Sequence, residues 1–252
     1  MPELLSLQDV SVSFDGFKAL SDVTFSVAPK SIKVLIGPNG AGKSTLCDCV
    51  IGKVRAKSGK IFYKGREITR LPEYKIVRRG ICRKFQAPGV LEQLSVYDNL
   101  KVAVKKHKSW WQSLRTSLTL EEETRVQEVL ELTRLKRRKD TPAALLAHGE
   151  KQWLEIGMVV VEDPELLLLD EPTAGMTAQE TAQTAELIRG LAAERAVLVI
   201  DHDMAFVELL DAPVSVLHQG RLLKEGTLDE VRADPEVISV YLGRSAEETL
   251  NA

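Results

Sequence analysis

The sequence predicts an α/β fold in which a buried sheet is flanked by helices and preceded by a smaller antiparallel layer. Three observations predict it. Short apolar, β-branched or leucine-rich runs at Val34-Leu35-Ile36, Leu166-Leu167-Leu168-Leu169 and Ala196-Val197-Leu198-Val199-Ile200 read as buried strands separated by helical stretches. Between residues 10 and 27, apolar and polar residues alternate, as they do in half-buried strands. The first buried run leads directly into Gly37-Pro38-Asn39-Gly40-Ala41-Gly42-Lys43-Ser44-Thr45, which fills every fixed place of the phosphate-loop pattern G-x-x-x-x-G-K-[ST].

Taken in order, Val10, Val12 and Phe14 alternate with Ser11 and Ser13, and Val23, Phe25 and Val27 with Thr24 and Ser26, giving two strands around a turn at Asp15-Gly16. After the phosphate loop, Leu46-Cys47-Asp48-Cys49-Val50-Ile51 continues as a helix whose two thiols point to different faces. Ile61-Phe62-Tyr63 is a short strand, Leu71 to Arg79 a helix closed by Gly80, and Ile81-Cys82-Arg83-Lys84-Phe85 a further strand. From Leu94 to Leu146 helical patterns replace β-branched runs. Residues 94–146 therefore read as a helical subdomain inserted between 1–93 and 147–234, with 235–252 as a C-terminal tail, all within one domain of 252 residues. Val214 to Leu217 and Arg221 to Leu223 form a hairpin across Gln219-Gly220, and Leu228 to Leu242 two short helices.

A net charge of −2 leaves no electrostatic footprint for DNA or RNA, so no nucleic-acid partner is expected. The basic, aromatic run from Lys105 to Trp111 is either a local exception or the solvated end of a helix with Trp110 and Trp111 packed beneath it. Cys47, Cys49 and Cys82 lack metal-ligand spacing and read as small buried residues of a reduced cytosolic protein. No apolar run approaches the ~18–20 residues of a membrane span. The expectation is a soluble protein that meets a membrane only through a partner.

The chemistry-bearing residues gather at the ends of buried strands. Around a glycine-rich loop the backbone N–H groups turn inward and the following helix adds its positive end, an arrangement suited to the phosphates of ATP. Lys43 would reach the β/γ oxygens, and Ser44 would ligate Mg²⁺. Asp170, ending its leucine strand, is placed to hold Mg²⁺ through water, and Glu171 to polarise an attacking water; alternatively the two acids cap the helix near Ala178. His202 is either structural or a hydrogen-bond donor that keeps that water in line. Phe14 is either a core residue or a platform for adenine. Gln86, taken alone, is a solvated loop residue.

Gly37 to Ser44, Gln86, Leu146-Ala147-His148-Gly149-Glu150, Leu166 to Glu171 and His202 stand in the order and spacing of an ATP-binding-cassette (ABC) ATPase. Nearly the whole chain resembles that family. The resemblance implies a P-loop NTPase ABC cassette with a RecA-like core, an N-terminal antiparallel β layer and an inserted helical subdomain. It makes Phe14 the adenine-stacking aromatic, Gln86 a Mg²⁺ and water ligand, Glu171 the general base and His202 the switch histidine. It also implies a head-to-tail dimer, with itself or a second ABC ATPase, in which Ala147, His148, Gly149 and Glu150 close on the partner's ATP. Such an ATPase sits at the cytoplasmic face of the bacterial inner membrane and drives permease transmembrane subunits, served indirectly by a periplasmic solute-binding protein.

Gly80 to Gln86, Lys151 to Met158 and Val240-Tyr241-Leu242-Gly243 are similar to the D-type ATPase subunit of bacterial urea transporters. Urea is therefore the expected solute, with a branched-chain amino-acid importer and a soluble clamp on nucleic acid or ribosomes as alternatives. The family's usual Leu-Ser-Gly-Gly-Gln is altered by Ala147 and Glu150, and Thr177 stands where many members carry an aspartate that links the two sites. These departures leave open a regulatory cassette that binds ATP without turnover, although the residues serving this chain's own nucleotide are complete.

Overall fold

The computed structural model describes residues 3–83, 89–105 and 118–240. Two sheets organise them. The first is antiparallel, in the order β2-β1-β4-β5, from β1 (Leu5–Phe14), β2 (Phe17–Val27), β4 (Ser58–Tyr63) and β5 (Arg66–Glu67). Its first hairpin turns on Asp15 and Gly16, both at positive φ, the conformation that a two-residue hairpin loop requires. The second sheet runs β10-β9-β3-β8-β7-β6, from β3 (Ile32–Ile36), β6 (Ile81–Arg83), β7 (Leu166–Asp170), β8 (Ala196–Ile200), β9 (Val214–His218) and β10 (Arg221–Gly226). All of its pairings are parallel except β9 with β10.

The unbroken apolar runs follow from burial on both faces of this sheet. Val34, Ile36, Leu167, Leu169, Val197 and Val199 face the cluster shared with most of the helices. Leu35, Leu166, Leu168, Leu198 and Ile200 face the cluster shared with the antiparallel layer. Helix α1 (Lys43–Val50) packs in the second cluster, and its Leu46, Cys47, Cys49 and Val50 are all buried there. The two thiols point to different sides of the helix and both are buried; the side left partly open to solvent carries Ser44 and Asp48. Burial pushes Cys47 up to about 12 and Cys49 up to about 11.

Several strands run longer than the sequence expectation: β1 begins at Leu5, β2 at Phe17 and β4 at Ser58, and β10 ends at Gly226. The helix expected over 71–79 is α2 (Glu73–Val77), because Pro72 holds an extended conformation (ψ 152°) immediately before it. The strand expected to reach Phe85 is described to Arg83; Lys84, Phe85, Gln86, Trp110, Trp111 and the tail from Tyr241 lie outside the described residues.

Within 94–146 stand α3 (Val96–Lys105) and α4 (Leu120–Leu132), the latter started by a Thr119–Glu122 capping box. Both pack on α5 (His148–Val160), the helix that follows the segment. Further α-helices among the described residues are α6 (Ala178–Ala192), α7 (Met204–Leu210) and α8 (Leu228–Arg232), with a helical run over 235–240.

Gly157 is where α3, α4 and α5 meet: a Cβ there would lie 3.1 Å from Val129 Cγ1, 3.2 Å from Thr133 Cγ2 and 3.4 Å from Leu100 Cδ2. A valine cannot enter without displacing all three. Gly157→Val is expected to destabilise the fold by about 1–3 kcal/mol, read as a lower midpoint in urea unfolding.

Candidate nucleotide-binding site

Three loops leave the six-stranded sheet side by side. β3, β8 and β7 are neighbours in parallel register, with Leu35 opposite Ile200 and Ile200 opposite Asp170. The phosphate loop, His202 and the Asp170-Glu171 pair therefore emerge together at the carboxyl ends of their strands, the edge at which open α/β sheets bind ligands.

The phosphate loop is clamped between two other backbones. A Cβ on Gly37 would sit 2.1 Å from the Leu217 carbonyl oxygen, and one on Gly42 would sit 2.6 Å from that of Ala19. These glycines are needed for close approach of the protein to itself, whereas Gly40 faces open space. The Gly220 N–H donates to the Ala41 carbonyl at 2.8 Å, fastening the loop to the β9–β10 hairpin. Lys43 is buried, and its Nζ donates to the carbonyls of Gly37 (2.7 Å) and Pro38 (3.1 Å). The ammonium thus lies inside the curl of the loop, while Ser44, at the start of α1, is exposed.

Asp170 is half-buried and accepts from Arg83 Nη2 at 2.7 Å, while Arg83 Nη1 donates to Asp48 on α1 at 2.5 Å. Glu171 has a left-handed backbone (φ 46°), and its N–H donates to the Ile200 carbonyl at 2.8 Å. A non-glycine residue in this region is strained, and such strain concentrates at functional positions. Here it turns the Glu171 carboxylate out of the sheet to within 3.5 Å of His202 Nδ1, both side chains being exposed. The structure brings these two residues together; an acid beside a histidine can take up and orient a proton.

Asp201 has a part that the sequence reading missed. It is buried, and its carboxylate accepts from Thr173 Oγ1 (3.0 Å), His202 N (2.7 Å) and Asp203 N (3.0 Å). One carboxylate thereby ties the loop after Glu171 to the loop bearing His202. The available signal was an acid directly ending a buried apolar strand, a place where a charge needs several donors.

Phe14 is 46% exposed at the end of β1, which sets aside its reading as a core residue. The segment at 147–150 forms the start of α5, with Ala147 and His148 exposed and Gly149 buried. Glu150 accepts from the Ala147 N–H at 3.0 Å and from Arg138 Nε at 3.1 Å, so its charge has a cationic partner. His148 Nε2 lies 2.9 Å from the Ala174 carbonyl, and Trp153 Nε1 donates to Thr184 Oγ1 at 2.9 Å. Thr177 caps α6, and hydrogen bonds from its backbone N–H and its hydroxyl hold the Glu180 carboxyl below the usual carboxylate range.

Among the described residues no group of three or more His, Cys, Asp or Glu side chains is clustered to hold an ion. Ser44 and Asp170 offer oxygen donors only. That set fits Mg²⁺ bound largely through phosphate and water with a single carboxylate.

Residues 20–174 match the family described as ABC transporter, and residues 223–247 the one described as branched-chain amino acid ATP-binding cassette transporter. The chain is 34% identical over 251 residues to the high-affinity branched-chain amino acid transport ATP-binding protein BraF of Pseudomonas aeruginosa, covering 96% of this chain and 98% of that one. It is 34% identical over 257 residues to the corresponding protein LivG of Escherichia coli K12, with the same coverage of 96% and 98%. Of solved structures, a nucleotide-free ATP-binding cassette from an ABC transporter is similar with a TM-score of 0.84 at 28% identity, covering 95% of this chain and 99% of the other. An ATP-binding cassette in its ADP conformation gives 0.83 at 29% identity, with coverage of 96% and 100%.

Removing the Asp201 carboxylate leaves the Thr173 hydroxyl and two backbone N–H groups without their acceptor. Asp201→Ala is expected to destabilise the fold by about 1–3 kcal/mol and to lower ATP turnover by more than the loss of folded protein explains. Urea unfolding and steady-state phosphate release, measured on the same preparation, check both.

Proposed function

This chain belongs to the ABC transporter ATP-binding family and is an ATPase, and from that premise we propose that its phosphate loop, Glu171 and His202 form the hydrolytic half-site that energises an importer. The observation that carries the reading is the convergence of three loops on one sheet edge, with Glu171 turned out against His202.

Phe14 stacks on adenine, its exposed ring at the mouth of the hairpin supporting that role. The N–H groups of Gly37 to Thr45 surround the phosphates, and Lys43 exchanges its loop carbonyls for the β/γ oxygens. Ser44 and Asp170 hold Mg²⁺, which when bound neutralises developing charge on the phosphate oxygens. Gln86 joins them as a Mg²⁺ and water ligand. Glu171 accepts the proton of the attacking water, and His202 keeps that water in line while Asp201 fixes the loops that carry both. Phosphoryl transfer asks the protein mainly for positioning and charge, which these groups supply.

The ATPase works head to tail with a second cassette, identical or not. Ala147, His148, Gly149 and Glu150 face the partner's ATP. Ala147 lacks the hydroxyl that would donate to the γ-phosphate, a bond to a charged group worth roughly 1.5–3 kcal/mol. Arg138 offsets the repulsion expected of Glu150. The helices of 94–146 dock on the permease, at the cytoplasmic face of the bacterial inner membrane, and a periplasmic binding protein delivers the solute.

For that solute, the named relatives and the match at 223–247 support branched-chain amino acids. The urea expectation rests on residues 80–86, 151–158 and 240–243 alone. In the structure, Trp153 of the second stretch is committed to Thr184 and the inside of the fold.

Lys43→Ala is expected to abolish ATP binding, and Glu171→Gln to retain binding while accumulating an ATP-bound dimer that hydrolyses at least about 100-fold more slowly, the loss of a general base. Nucleotide titration and size-exclusion chromatography with ATP measure this; wild-type turnover in Glu171→Gln refutes the assignment. For the solute, vesicles reconstituted with the cognate permeases and binding protein are expected to accumulate labelled leucine in an ATP-dependent manner. Accumulation of labelled urea in its place reverses the choice.

A further inference from the structure

The sequence places Arg83 in a short strand, within the stretch Gly80 to Gln86, and names no partner for it. In the structure its guanidinium forks between two carboxylates on different elements, Asp170 Oδ2 at the end of β7 and Asp48 Oδ1 on α1. We propose that Arg83 is a positioning residue for the metal: it fixes where Asp170 stands relative to Ser44, and thereby sets the affinity of the half-site for Mg²⁺. The proposal rests on the nucleotide-site reading above.

Asp48 follows Ser44 by four residues on α1, so the two share a face of the helix, one turn apart. Arg83 therefore ties the helix that carries the hydroxyl donor to the strand that carries the carboxylate donor. The side chain of Arg83 is 12% exposed and those of its partners 21% and 24%, so neither pair has the solvent screening that makes surface ion pairs weak. The rigid, planar fork matters. It holds two carboxylates at a fixed separation, which the single ammonium of a lysine cannot do at these distances. With Oδ2 held by Arg83, Asp170 is kept from rotating, and its Oδ1 is the oxygen left to meet the water around the metal. Groups that orient metal-holding side chains from behind typically change metal affinity by 10–100-fold when removed.

The test uses the full-length chain and mant-ATP, with fluorescence titrations in EDTA and across a Mg²⁺ series, beside thermal unfolding. In Arg83→Met and Arg83→Lys the half-saturating Mg²⁺ concentration is expected to rise about 10–100-fold, with nucleotide affinity in EDTA unchanged. Asp48→Asn, which keeps the Arg83–Asp170 pair, is expected to shift the Mg²⁺ response in the same direction by less. A wild-type Mg²⁺ response in Arg83→Lys overturns the proposal, because the fork is then unnecessary. So does an equal loss of affinity with and without metal, which is general damage, or a lower Mg²⁺ requirement, which makes Arg83 a competitor of the cation. If wild-type protein binds mant-ATP without any response to Mg²⁺, the nucleotide-site reading fails first, and is recognised as such.

Discussion

The parallel hydrogen-bond ladder joining β3, β8 and β7 is the constraint on which everything else here depends. It puts Ile36, Asp170 and Ile200 at one edge of the sheet, so three loops distant in the chain begin next to one another. The register is strongly specified because both faces are buried. A slip of one residue would exchange Leu35 for Val34 and Leu198 for Val199 between two differently shaped cores, and it would also move Asp170 off the edge. Glu171 extends the ladder by one bond, to the Ile200 carbonyl, while its own backbone turns left-handed. The rigid strand thus bears the local strain that aims the carboxylate outward.

The phosphate loop is held from outside as well as from below. Leu217 from β9 and Ala19 from β2 come so close that only glycine fits at 37 and 42, and Gly220 bonds to Ala41 from the hairpin. The antiparallel layer and the edge hairpin therefore both brace the phosphate loop. The fixed glycines of the motif, 37 and 42, are thus needed because the protein approaches itself there, whereas Gly40 is clear of any neighbour and has a positive φ of 78°.

The face expected to meet a second subunit is stitched to the chain's own site. Thr173, two residues after Glu171, is bonded to Asp201, and the next carbonyl, that of Ala174, lies at hydrogen-bond distance from His148 at the start of α5. The Trp153–Thr184 hydrogen bond adds a link between α5 and α6. The Glu171 loop and the start of α5 are thus joined by a short chain of hydrogen bonds. The altered residues Ala147 and Glu150 lie in this stitched region, and Arg138 shows that the acid at 150 is accommodated within the fold.

The sequence by itself determined what is local and periodic. The apolar runs of period-indifferent strands, the alternation of the first hairpin, the phosphate loop at the head of a helix, and Asp170-Glu171 and His202 at strand ends were all legible, because side-chain direction follows residue spacing within an element. The resemblance to the ABC family came from the order of those local signals. Only the tertiary structure decided which residues hold them: Arg83 between Asp48 and Asp170, 35 and 87 residues away, Asp201 under Thr173, Arg138 beside Glu150, and α5 as the helix on which α3 and α4 pack. It also decided that Phe14 is exposed. The physical reason is that a charge or a hydroxyl carries no periodicity announcing its partner. Partners are chosen when sheet register and packing bring distant segments within hydrogen-bond reach, where a buried polar group must find one or cost the fold its stability.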